Sequence, residues 1–173
     1  MSHKQQKDFC NQIKQLFPDY FINKDVLDLG SLDINGNNRY LFTECRYTGV
    51  DVGPGPNVDI VYHAHKVQGS YDVVISTEML EHDQYYVQTL KHIVECLLKP
   101  NGLFFFTCAT TGRQPHGLKE QSPDDSPYTN DWYKTLTMED VNEAIDLEKY
   151  FIKHEFIINT DHHDLYFWGI KRG

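Results

Sequence analysis

The sequence predicts an α/β protein: a doubly wound, mostly parallel sheet in a three-layer α/β/α arrangement, finished by an antiparallel hairpin at its C-terminal edge. Three observations predict it. Short apolar runs alternate with helix-patterned stretches along most of the chain. The first run, residues 26–29, ends at Gly30, and the second, residues 47–50, ends at Asp51. Open α/β sheets gather ligands at the carboxyl ends of their strands, so a glycine turn beside an acid fits such a mouth. Finally, two closing apolar runs flank the polar segment "TDHHD", as an antiparallel pair would.

Each element follows from local pattern. Residues 3–17 are polar, with Phe9, Ile13, Leu16 and Phe17 at helical spacing before Pro18, which predicts an amphipathic helix within residues 1–18. Strand one is expected over 25–29. A helix is expected from 36 or 37 to about 43, carrying Tyr40, Leu41 and Phe42 inward, and strand two over 47–51. "GPGP" at 53–56 is a rigid turn. Strand three is expected over 58–62, and strand four over 71–76 as a run buried on both faces. Residues 78–98 read as one long helix with Leu80, Val87, Leu90, Ile93, Val94 and Leu97 on its core side, stopped by "KPNG"; strand five follows over 103–108. Residues 110–136 hold Gly112, Pro115, Gly117, Pro123 and Pro127 with little periodicity. They are too long for a mere connection and read as a substrate loop or lid. Thr137 opens a capped helix with Glu139 and Asp140 in its first turn, and residues 156–159 and 165–170 form the hairpin.

The bulk numbers bound the function. A chain of 173 residues fits a single domain, 1–173, able to bury roughly 70% of the surface its unfolded form exposes. A net charge of −9 argues against a nucleic-acid partner, whose phosphates want clustered Lys and Arg, and against an anionic membrane. The four cysteines show no C-x-x-C spacing and read as reduced thiols. With no signal peptide and no long apolar run, a cytoplasmic enzyme is expected. Nothing in the sequence sets the oligomeric state.

The chemistry concentrates at residues 26–52. The turn after strand one is acidic, with Asp28 before it and Asp33 within it, and lacks the full G-x-G-x-x-G spacing of a pyrophosphate site. Two carboxylates would repel a pyrophosphate and favour a cation. S-adenosylmethionine carries a sulfonium and an ammonium and no phosphate, so this charge pattern selects it over a dinucleotide. Asp51 is placed to accept both ribose hydroxyls.

From about residue 24 to residue 173 the chain resembles the class I S-adenosylmethionine-dependent methyltransferases, which have a Rossmann-like sheet. "VLDLGS" matches the first cofactor motif, "YTGVDV" the second, "YDVVISTEMLEH" the segment around strand four, and "LLKPNGLFFFTCAT" the strand-five motif. "EMLEH" also occurs in ubiquinone-pathway O-methyltransferases. The family's second glycine of the first motif is replaced by Leu32. The resemblance implies that Asp28 anchors the methionine ammonium, with backbone contacts from Gly30 and Ser31. It implies further that Asp51 grips the ribose and Val52 packs on adenine. His63 stands where relatives often place an acid near the adenine amine, with Ala64 backbone beside it, and Ser76 and Thr77 face the methionine moiety.

On a continuous helix Glu78, Glu81 and His82 would share one face above strand four. Their oxygen and nitrogen atoms suit Mg²⁺, Mn²⁺ or Zn²⁺, with His116 of the long loop as a fourth ligand. The competing reading is an acidic first turn that complements the helix dipole, without metal. Methyl transfer is an in-line displacement, so alignment dominates, and a hydroxyl acceptor needs a base; His82 and His116 are the candidates. The acceptor pocket is sought among Tyr128, Asp131, Trp132 and Tyr133. A small-molecule or glycan-like acceptor methylated at oxygen is expected, while the Glu/Glu/His pattern keeps an RNA 3′ end open. Two other readings stand beside this: a cofactor-binding partner subunit that has lost catalysis, and an NAD or nucleotide-sugar oxidoreductase.

Overall fold

The computed structural model describes residues 4–173. Its seven strands form one sheet in the order β3-β2-β1-β4-β5-β7-β6. These are β1 (Asp25–Leu29), β2 (Arg46–Asp51), β3 (Ile60–Val61), β4 (Tyr71–Thr77), β5 (Leu98–Ala109), β6 (Phe151–Asn159) and β7 (Asp164–Lys171). The first five pair in parallel with one another, and β7 runs antiparallel between β5 and β6. The expected doubly wound sheet with an antiparallel edge is therefore present.

The core lies on both faces because the central strands carry apolar residues at both parities. On β5, Phe104, Phe106 and Cys108 join one buried cluster, which the later helices cover. Leu103 and Phe105 join the other, with Phe9, Cys10 and Ile13 of α1 (Lys4–Leu16). Each fully buried phenylalanine contributes about 1.5–3 kcal/mol relative to an exposed one. Helix α1 matches the amphipathic pattern predicted from residue 3 onward; His3 itself lies outside the described residues. Among the described residues, no helix is long and apolar enough to cross a membrane.

Two predicted helices do not form as expected. After β1 the chain makes a short 3-10 turn, Arg39–Leu41, instead of a helix over 36–43. Local side chains take the backbone donors a helix would use: Asp33 Oδ1 accepts from Gly36 N (2.6 Å) and Asn37 Oδ1 from Arg39 N (3.0 Å). Tyr40 is consequently 58% exposed, while Leu41 is buried and Phe42 stacks on Phe21. The expected long helix over 78–98 is broken at its start. Glu78 is left-handed (φ +54°), a 3-10 turn covers Leu80–His82, and α2 begins only at Tyr86 (Tyr86–His92), running on into a π-helical turn, Ile93–Leu97. Asp83 diverts the chain, its carboxylate accepting from Tyr85 N and from the Thr89 hydroxyl.

The edge strand β3 is shorter than 58–62 because the Asp59 carboxylate turns back to Gly49 N and Arg39. Residues 110–136 form a long loop with one 3-10 turn, Pro123–Asp125. Thr137 caps α3 (Met138–Ala144), as predicted, and does so through a reciprocal box with Asp140. A short helix, α4 (Leu147–Tyr150), was not foreseen, and β6 begins five residues earlier than the predicted 156.

Candidate functional site

The tips of β1 and β2 are stitched together. Gly30 and Ser31 both donate their N–H groups to Val50 O (2.9 and 3.1 Å), which swings the chain across the end of β2. The turn needs Gly30: its φ is +80°, and a Cβ there would lie 2.4 Å from Met79 Cβ. A cleft opens above this turn. Asp28, Gly30, Ser31, Asp51, Val52, His63, Ala64 and Thr77 all line it, as do Glu78 and His82. Eight of the nine cofactor positions expected from the sequence therefore meet at one place. The exception is Ser76, which is buried within the sheet and does not line the cleft; along β4 adjacent residues alternate faces, and Thr77 takes the open one.

Asp28 is 2% exposed, and burial pushes its carboxyl up to about 7. One oxygen accepts from the Tyr47 hydroxyl, and the other has no partner among the described residues. Asp51 is also raised by burial, opposed by backbone donors: Leu32 N to Oδ2 (3.1 Å) and Gly53 N to Oδ1 (3.4 Å). Leu32, the departure from the glycine pattern, thus has a local role through its N–H. Val52 is 40% exposed, leaving an apolar surface beside Asp51.

The long loop closes the far side. Tyr128 and Trp132 line the cleft, as does Asp125. The Tyr128 ring packs so closely on Gly53 that a Cβ there would fall 1.9 Å from Tyr128 Cδ2. Asp131 and Tyr133, also sought as acceptor residues, do not line it. Asp131 accepts from Lys119 N within the loop (2.7 Å), and the Tyr133 ring lies against His82 and His116.

The group expected to bind a metal assembles differently from its predicted form. Because no helix spans 78–82, Glu78, Glu81 and His82 share no helical face. Glu81, His82 and His116 nonetheless offer ligand atoms within 4.8 Å of one another, and Glu78 stands outside that set while lining the cleft. Glu81 is fully buried, one oxygen accepting from Ala109 N (3.2 Å) and the other without a partner among the described residues. Burial and the neighbouring Glu78 raise its carboxyl well above the usual range. His82 is pushed down to about 3 by burial and by His116, so its imidazole is neutral, and burial lowers His116 as well. Both ring nitrogens of His82 and Nε2 of His116 lack hydrogen-bond partners among the described residues. Gly117, left-handed at φ +68°, lets the loop backbone pass close to the His82 ring.

Sequence reasoning missed Asn38. Its amide lines the cleft, donates to Thr77 Oγ1 (2.9 Å) and accepts from Gln6 Nε2 of α1 (3.4 Å). The cluster of amides in "NGNN" was the available signal, but nothing in it distinguished a site from a turn.

Residues 1–150 match a family described as a methyltransferase domain. A search of curated proteins finds no match. Among solved structures the chain is similar to 1,6-didemethyltoxoflavin-N1-methyltransferase of Burkholderia thailandensis, which was solved with S-adenosylhomocysteine. The TM-score is 0.67 and the identity 15%, over 98% of this chain and 79% of that one. It is similar also to phosphoethanolamine N-methyltransferase 2 of Haemonchus contortus (TM-score 0.65, 15% identity, 96% of this chain, 53% of that one). A third similar structure is the CurJ carbon methyltransferase (0.63, 14%, 97% and 54%). This chain thus spans about half the length of the last two. The matched family and the sheet agree: the chain belongs to the methyltransferase-domain family, as a class I S-adenosylmethionine-dependent methyltransferase.

Proposed function

We propose that the protein transfers a methyl group from S-adenosylmethionine to an oxygen of a small-molecule or glycan-like acceptor. One observation carries the donor side of this reading: two carboxylates, the buried Asp28 and the half-buried Asp51, stand at adjacent strand tips and line one cleft. In it Asp28 meets the methionine ammonium, Asp51 the ribose hydroxyls, and Val52 with His63 and Ala64 the adenine. Asp28 loses its proton as the cation arrives, because an adjacent positive charge favours the ionised carboxyl.

The acceptor enters between Glu78, His82 and the loop residues Tyr128 and Trp132, which align its hydroxyl with the sulfonium and exclude water. Without a metal, His82 receives the acceptor proton, because it lines the cleft and both its ring nitrogens lack partners among the described residues. Glu81, His82 and His116 fit a divalent ion: two neutral imidazoles and a carboxyl, with unpartnered ligand atoms gathered in a protein interior. Bound there, such an ion would lower the pKa of an acceptor hydroxyl. The single-domain reading of residues 1–173, with 110–136 as the lid, belongs to the same proposal.

The test is methyl transfer from donor labelled in the methyl group to a panel of small alcohols, phenols, glycosides and amines, with the product atom assigned by NMR. Label on oxygen is expected. Label on nitrogen or carbon removes the oxygen assignment, and no transfer to any acceptor favours the non-catalytic subunit.

A further inference from the structure

The donor that the proposed function places in this cleft carries a carboxylate beside its ammonium, and a buried carboxylate must be met by donors. Among the described residues lining the cleft, none is Lys or Arg, while five are Asp or Glu. The carboxylate therefore depends on neutral N–H and O–H donors. Of the amides at this end, Asn37 already donates to Asp33 Oδ2 (2.7 Å). Asn38 does not spend its amide in this way. Its Nδ2 donates one hydrogen to Thr77 Oγ1, leaving the second, and its Oδ1 is held by Gln6 Nε2. A flipped amide would turn its oxygen toward the carboxylate and set N–H against N–H at Gln6.

We propose that Asn38 is the specificity residue for the donor carboxylate, and that Gln6 of the N-terminal helix is a positioning residue that locks the Asn38 amide in its donating orientation. Gln6 is fully buried and does not line the cleft, so it acts only through Asn38. Helix α1 thereby becomes part of the cofactor site as well as of the core: Phe9 and Ile13 supply packing and Gln6 supplies orientation. This inference rests on the donor site proposed above.

The test compares binding of S-adenosylhomocysteine with that of its decarboxylated form, which keeps the ammonium, to the wild-type protein and to Asn38→Asp and Gln6→Met. A hydrogen bond to a charged group is worth about 1.5–3 kcal/mol, so Asn38→Asp is expected to weaken S-adenosylhomocysteine about tenfold or more. The decarboxylated ligand should bind as tightly as before or better. Gln6→Met should weaken the carboxylate-bearing ligand by a smaller factor and spare the other. Equal losses for both ligands would assign these residues a merely structural role, and no loss for either would remove the proposal. If Asn38→Asp does not fold, Asn38→Ala is read in the same way. Failure of the wild-type protein to bind either ligand would instead overturn the donor site itself.

Discussion

Asp28 makes the affinity for the donor depend on pH in a way that can be worked out beforehand. Moving this carboxyl from 3.8 to about 7 amounts to roughly 4 kcal/mol against ionisation in the unliganded protein. At a value of about 7, roughly half of the molecules would be protonated there at pH 7. A ligand ammonium requires the ionised form, so binding displaces the proton. With a value of about 7, only about 1% of Asp28 is ionised at pH 5, and the affinity for S-adenosylhomocysteine should be about a hundredfold lower at pH 5 than at pH 8. Isothermal titration in two buffers of different ionisation heat should count close to one proton released at pH 6 and almost none at pH 8. Asp28→Asn should bind more weakly at pH 8 and show a much flatter profile. The sign for stability is opposite. A raised carboxyl favours the folded, unliganded protein below about pH 4, and this contribution is lost as pH rises through about 7. Affinity constant between pH 5 and 8, with no proton released, would refute the argument.

Three further outcomes follow from the geometry. Gly30→Ala forces a Cβ into Met79 at a φ of +80°, and urea denaturation should show a loss of about 2 kcal/mol or more; a loss below about 0.5 kcal/mol would contradict the packing. Gly53→Ala should dislodge Tyr128, weaken S-adenosylhomocysteine binding and speed proteolysis within residues 110–136, whereas unchanged cleavage would show that this contact does not hold the loop. Zn²⁺ should raise the melting temperature of the wild-type protein and leave that of His116→Ala unchanged; identical responses would remove Glu81, His82 and His116 as a metal centre.

The sheet was legible because its strands announce themselves locally. Asp25–Leu29 was predicted to the residue, and the Thr137 cap was readable from Glu139 and Asp140 behind it. Apolar periodicity cannot show where a polar side chain captures a backbone donor. Asp33, Asn37 and Asp83 each do so, and they turned one predicted helix and the start of another into turns. Eight of the nine expected cofactor positions still meet at one cleft, because they sit at or just beyond strand tips, whose places are fixed by the sheet. Glu81, His82 and His116 came together for a different reason than the one anticipated: a 3-10 turn and a glycine-relieved loop replace the helical face. The link from Gln6 to Asn38 spans 32 residues and leaves no trace in spacing. Leu32, read as a departure from the family's glycine pattern, supplies the N–H that holds Asp51.

The central claim is that the carboxylates at the ends of β1 and β2 hold a cationic adenosyl donor. The most direct measurement is calorimetric titration of S-adenosylhomocysteine into the wild-type protein and into Asp51→Ala at pH 8. Micromolar binding to the wild type is expected, with affinity about tenfold weaker or worse in the variant, in line with the loss of a hydrogen bond to a charged group. No binding to the wild type, or equal binding to both, would contradict it.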